Sequence, residues 1–63
     1  MTLIINEVKL LEEEYNGDAP LSALKRNMEE NHGVTEDKVD ALVKNLIQKG
    51  ILYTPSHGYV KRV

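Results

Sequence analysis

The chain has no cysteine, tryptophan or phenylalanine and only two prolines. Without cysteine, neither a disulfide nor a thiolate zinc site can staple it, so its stability has to come from packing. Long apolar runs are also missing. None exceeds three residues, as at Leu3 to Ile5, against roughly 18 for a membrane-spanning helix, and no basic segment precedes that run as in a signal peptide. The expectation is a soluble, cytosolic protein with no membrane partner. Phosphate-binding glycine motifs are absent too. Gly17, Gly33, Gly50 and Gly58 stand singly and read as caps and turns.

What is present suits a small folded domain. Hydrophobic residues make up 41% and charged residues 29%, a folded rather than a disordered balance. The 63 residues are read as one domain, 1–63. A domain of about 60 residues buries only roughly 60% of its unfolded surface, so the core has to be economical. The net charge of -2 runs against the basic excess usual in nucleic-acid modules, but the charge is unevenly spread. Residues 1–40 carry ten acids against four bases, and every later charge, Lys44, Lys49, Lys61 and Arg62, is positive.

Three helices and a hairpin follow from the pattern. Ile4, Val8, Leu11 and Tyr15 recur at steps of four, three and four, with Leu3 beside them, one stripe of an amphipathic helix over 2–15 for which Thr2 is a candidate cap. Glu12-Glu13-Glu14 read as a solvated face that opposes the macrodipole and frays the last turn, before Asn16-Gly17-Asp18 breaks the helix. Ala19-Pro20 is expected to be extended and able to add a third short strand at 19–21. A short second helix then carries Leu21, Leu24 and Met28 to a left-handed stop at Gly33. Thr35 caps a third helix with Glu36 and Asp37 in its first turn. Its stripe, Val39, Leu42, Val43, Leu46 and Ile47, is the most regular in the chain and stops at Gly50. Ile51–Thr54 and Tyr59–Val63 are strand-like, joined by Pro55-Ser56-His57-Gly58 with proline suited to the second turn position.

This order predicts an α+β, mainly α, winged helix-turn-helix: three helices and a C-terminal β-hairpin wing. The alternative is a three-helix bundle with a disordered tail, which would leave Tyr53, Tyr59 and Val60 without a core.

No catalytic, cofactor or metal site can be nominated. His32 and His57 stand alone, with no HExxH spacing and no Ser-His-Asp set. The acids Glu12–Glu14 and Glu29-Glu30 are sequence neighbours that point to different helix faces. Candidate DNA or partner contacts are Lys44, Asn45, Gln48 and Lys49 on the third helix, His57 at the wing tip, and Lys61 and Arg62 at the wing end. The acidic first turn of that helix would be repelled by phosphates, so the reading is either weak, salt-sensitive backbone contact or charges of purely local use. In the local reading, Lys44 and Lys49 complement the helix dipole and Lys61-Arg62 keep an edge strand soluble. Tyr53 and Tyr59 are expected to pair across the strands, and Tyr15 to end the apolar stripe of the first helix.

The stretch Gly50-Ile51-Leu52-Tyr53-Thr54-Pro55, two residues, then Gly58-Tyr59-Val60-Lys61-Arg62-Val63 resembles the C-terminal winged-helix domain of archaeal minichromosome maintenance (MCM) replicative helicases. The acid-rich first helix, Asn16-Gly17-Asp18-Ala19-Pro20-Leu21, and Val34-Thr35-Glu36-Asp37-Lys38-Val39 look like the same domain, so the resemblance covers nearly the whole chain. It implies the tail of a longer chain whose AAA+ motor, with ATP and magnesium, unwinds DNA as a ring, usually a hexamer. None of that chemistry, and no cofactor, lies in these residues. It further implies a monomeric, mobile appendage that modulates ATPase and helicase activity, or engages a replication loading factor as related eukaryotic domains do, in an archaeal cytoplasm with the chromosomal DNA. The family's wing often carries a basic residue where this sequence has Ser56, a departure that weighs against DNA contact by the wing tip.

Overall fold

The first stripe folds as expected. In the computed structural model, which describes residues 2–63 apart from the side chain of Thr2, α1 spans Thr2–Glu14 and buries Ile4, Val8 and Leu11. The capping role expected of Thr2 falls outside the described residues. Leu3 and Tyr15 are exposed rather than part of the core. Tyr15 lies past the helix end, where Asn16 turns left-handed at φ 60° and the Gly17 N–H donates to the Glu12 carbonyl at 2.7 Å. That closure satisfies a carbonyl of the last turn, so the acidic turn stays helical to Glu14.

The second helix, α2 (Leu21–His32), has 12 residues and so nearly matches the 13 of α1 and of α3 (Glu36–Gln48); it is not the short element expected. Ala23, a small residue beside Leu24, joins Leu24 and Met28 in the core. Gly33 ends the helix at φ 66°, its N–H donating to the Glu29 carbonyl. Thr35 caps α3 by accepting from the Lys38 N–H, a long contact of 3.4 Å. Val39, Val43 and Leu46 are buried, and Leu42 and Ile47 pack at the margin.

Three short strands complete the architecture: β1 (Ala19–Pro20), β2 (Leu52–Tyr53) and β3 (Tyr59–Arg62). The order is β1-β3-β2, all antiparallel. Ala19 faces Val60 and Pro20 faces Tyr59 on one side; Leu52 faces Arg62 and Tyr53 faces Lys61 on the other. Pro20 sits on an edge strand, where its missing N–H costs no interior ladder bond. Although β3 is central in the strand order, β1 pairs only with Tyr59 and Val60, so at Lys61 and Arg62 the side of β3 away from β2 is an open edge, where the Arg62 N–H finds a side-chain acceptor instead of a strand. Tyr53 and Tyr59 are not cross-strand partners, because the pairing begins nearer the end of β3 than a tight hairpin would allow. The tip turn runs from Ser56 to Tyr59, closed by the Tyr59 N–H on the Ser56 carbonyl with Gly58 at φ 83°, so Pro55 precedes the turn rather than holding its second position.

The result is a winged-helix-like α+β fold. The helix α1 packs on α2, β1 and β3, while α3 packs on α2 and β2. The tail alternative fails because Leu52 and Val60 of the wing are fully buried with the helical residues in one cluster. The consequence is measurable: Leu52→Ala should lower unfolding stability by about 2–5 kcal/mol in urea titration. A loss no larger than that of the exposed Tyr53→Ala would place the wing outside the core.

Candidate functional site

On α3 the residues off the apolar stripe form one exposed surface. Asp37, Ala41, Lys44 and Gln48 follow steps of four, three and four, with Lys38 and Asn45 alongside, and all are exposed. Lys49 is the C-cap, its N–H bonded to the Asn45 carbonyl at 3.1 Å. Lys44, Asn45, Gln48 and Lys49 therefore share the C-terminal half of this surface. Glu36 and Asp37, in the first turn, take the end that a recognition helix would lead with, where the amides and the dipole favour carboxylates. Asp40 is committed elsewhere, 3.0 Å from the Nζ of Lys25, so α2 and α3 are tied by a partly exposed ion pair.

The wing places its bases differently. His57 lies exposed in the tip turn. Arg62 leans onto α1: its backbone N–H donates to Glu12 Oε2 at 2.8 Å, its Nη2 to Oε1 at 3.1 Å, and its Nε to both oxygens at 3.2 and 3.3 Å. The Glu12 side chain is 10% exposed, against 41% for Arg62. Glu12 is thus not part of a solvated run, and Arg62 is not a free base. Lys61 is half-buried, and its Nζ reaches over Gly17 to 3.9 Å from where a β-carbon would stand.

Burial works to raise the Glu12 pKa. The hydrogen bonds from the Arg62 side chain and backbone and the charges of Arg62 and Lys61 outweigh it, holding the carboxyl below the usual carboxylate range. A charge-assisted fork of this kind is stronger than a neutral hydrogen bond.

The structure thus gathers four of the seven sequence-nominated residues on α3, leaves His57 at the tip and turns Lys61 and Arg62 toward α1. The Glu12–Arg62 pair escaped sequence reasoning because 50 positions separate its members; the opposed charges of the two chain ends were its only signal. Among the described residues no group of three or more His, Cys, Asp and Glu could hold a metal, and none of the buried side-chain nitrogens or oxygens lacks a partner. No family model matches the chain, and no curated protein matches it.

A Glu with a depressed folded-state pKa contributes stability that is fully present above its unfolded value, about 4.3, and is lost as pH falls through the folded value. Glu12→Gln should therefore cost about 1–2 kcal/mol at neutral pH. It should also flatten the acid limb of the stability profile, so that variant and parent converge at low pH. Parallel pH profiles in thermal melts would show that the pair contributes nothing.

Proposed function

We propose that the chain is a protein-interaction winged helix, the C-terminal domain of an MCM-type replicative helicase, acting in an archaeal cytoplasm with the chromosomal DNA. There it tunes the ATPase and unwinding of a hexameric AAA+ motor, which holds the ATP and magnesium, or docks a replication loading factor. The observation that most favours a protein partner is the occupied guanidinium of Arg62. The wing's strongest phosphate ligand already holds a carboxylate, and the leading turn of α3 is acidic.

A second reading, a DNA-binding winged helix or independent regulator, draws on the exposed Lys44, Asn45, Gln48 and Lys49. With Lys61 added, the nominated residues offer three lysines, Lys44, Lys49 and Lys61, to phosphates. Counterion release of about 0.9 per phosphate on duplex DNA from those three corresponds to a slope of log K against log salt of about -2.7.

Titrating the labelled domain with duplex, forked and single-stranded DNA at low and moderate salt separates the two. The expected result is weak binding that vanishes as salt rises. Saturable, salt-resistant amide shifts on residues 44–49 and the wing would overturn the protein-partner reading. For the parent motor, removing this domain should change the ATPase or unwinding rate; unchanged rates with and without loading factors would remove the regulatory role.

A further inference from the structure

The turn that ends α1 carries a chemistry that the surfaces above do not use. Asparagine is among the thermolabile residues, and it loses its side-chain amide where the next main-chain nitrogen reaches the side-chain carbonyl. The chain has five asparagines: Asn6, Asn16, Asn27, Asn31 and Asn45. Four lie inside helices, Asn6 in α1, Asn27 and Asn31 in α2, and Asn45 in α3. There the next N–H is held in the helical ladder, and the next residue brings a side chain of its own. Asn16 stands outside the helices. It is exposed, left-handed at φ 60°, and followed by Gly17 at φ 128°, a residue with no β-carbon to shield its nitrogen.

One hydrogen bond opposes the reaction. The Gly17 N–H donates to the Glu12 carbonyl at 2.7 Å, so the nitrogen that would attack is engaged by the end of α1. That bond closes the last turn of a helix, an element that opens locally at lower cost than the whole fold.

We propose that Asn16–Gly17 is a site of spontaneous deamidation, gated by this closure. When the turn opens, the Gly17 nitrogen gives up its proton to hydroxide and attacks Asn16 Cγ. An N–C bond forms, the Cγ–Nδ2 bond breaks, and the side-chain nitrogen takes a proton from water and leaves as ammonia, which closes a succinimide ring. Water then splits either ring C–N bond, leaving aspartate or isoaspartate at position 16. Aspartate keeps the course of the main chain and tolerates the left-handed region as asparagine does. Isoaspartate routes the main chain through the former side chain and lengthens the link between α1 and β1, so the Gly17 closure is lost and the last turn of α1 loosens. Glu12 belongs to that turn, and its grip on Arg62 loosens with it. This inference involves neither DNA nor a motor, so its failure and that of the reading above are distinct.

Incubating the folded chain in heavy-oxygen water at mildly alkaline pH, followed by peptide mapping, tests it. Heavy oxygen should enter at position 16 and at none of the helical asparagines. Unfolding the chain in urea should speed the reaction at position 16 by at least about tenfold, the factor expected of a closure that is open about a tenth of the time or less. In the separated isoaspartate form the Arg62 Nε–H signal should move toward its position in Glu12→Gln, and in the aspartate form it should stay. Equal labelling at the helical asparagines, no labelling at position 16, or the same rate in folded and unfolded chains overturns the gated site. An isoaspartate form with the Arg62 signal of the unmodified chain overturns its link to Glu12.

Discussion

Burial of Val60 in the middle strand sets the terms for the rest of the molecule. The side-chain period of a strand is two, so once Val60 points inward, Arg62 points to the same face and cannot be re-aimed without moving the whole strand by one residue. That inner face is roofed by α1, which packs on β3. A guanidinium delivered there needs an acceptor, because a buried or half-buried charge without one is costly. Glu12 supplies two oxygens, and the Arg62 backbone N–H uses one of them as well. The inward turn of a valine thus carries an arginine away from the open surface and clasps the end of the chain to its first helix.

The same alternation decides where polar groups sit. No polar or charged residue is buried among the described residues, and the core is wholly aliphatic, from Ile4 on α1 to Val60 on β3. A core without a polar network sets packing but little orientation. Two peripheral ion pairs supply the orientation: Lys25–Asp40 fixes α2 against α3, and Glu12–Arg62 fixes α1 against the sheet. Each joins elements that the core already holds together; Lys25–Asp40 lies at the partly exposed margin, whereas Glu12 is largely buried and keeps its charge through Arg62. Such pairs select one arrangement of helices over its near neighbours more than they add to total stability.

The helices were legible in the sequence wherever period and cap agreed. Thr35, Glu36 and the Val39–Ile47 stripe located α3 closely, and Gly33 marked the end of α2. The pairing of the wing was less legible. Ile51–Thr54 and Tyr59–Val63 announce two strands, but their register depends on Leu52 and Val60 finding the core and on Ala19 docking beside Val60. These contacts span 41 positions between Ala19 and Val60 and leave no local trace. Tyr15 shows the opposite failure. It continued the stripe of α1 numerically, but the left-handed Asn16 ended the helix and left the ring outside. The α3 face was readable residue by residue, whereas the loss of Arg62 from the set of free bases was not, since nothing near Arg62 in sequence accepts its hydrogen bonds.

Charge along the chain and charge in space are different quantities, and here they diverge. Read linearly, the acidic first part and basic last part suggest a molecule with one positive side. Folding brings β3 against α1, so the most basic dipeptide, Lys61-Arg62, lands beside the C-terminal acids of the first helix, and both of its charges act on Glu12. Of the four bases that follow Asp40, Lys44 and Lys49 stay exposed, at the end of α3 where the dipole is negative and already draws on cations. Their field decays within a Debye length of about 8 Å at physiological salt. The winged-helix-like frame is therefore retained while two of the four bases that follow Asp40, Lys61 and Arg62, are drawn toward α1 by the pairing of β3.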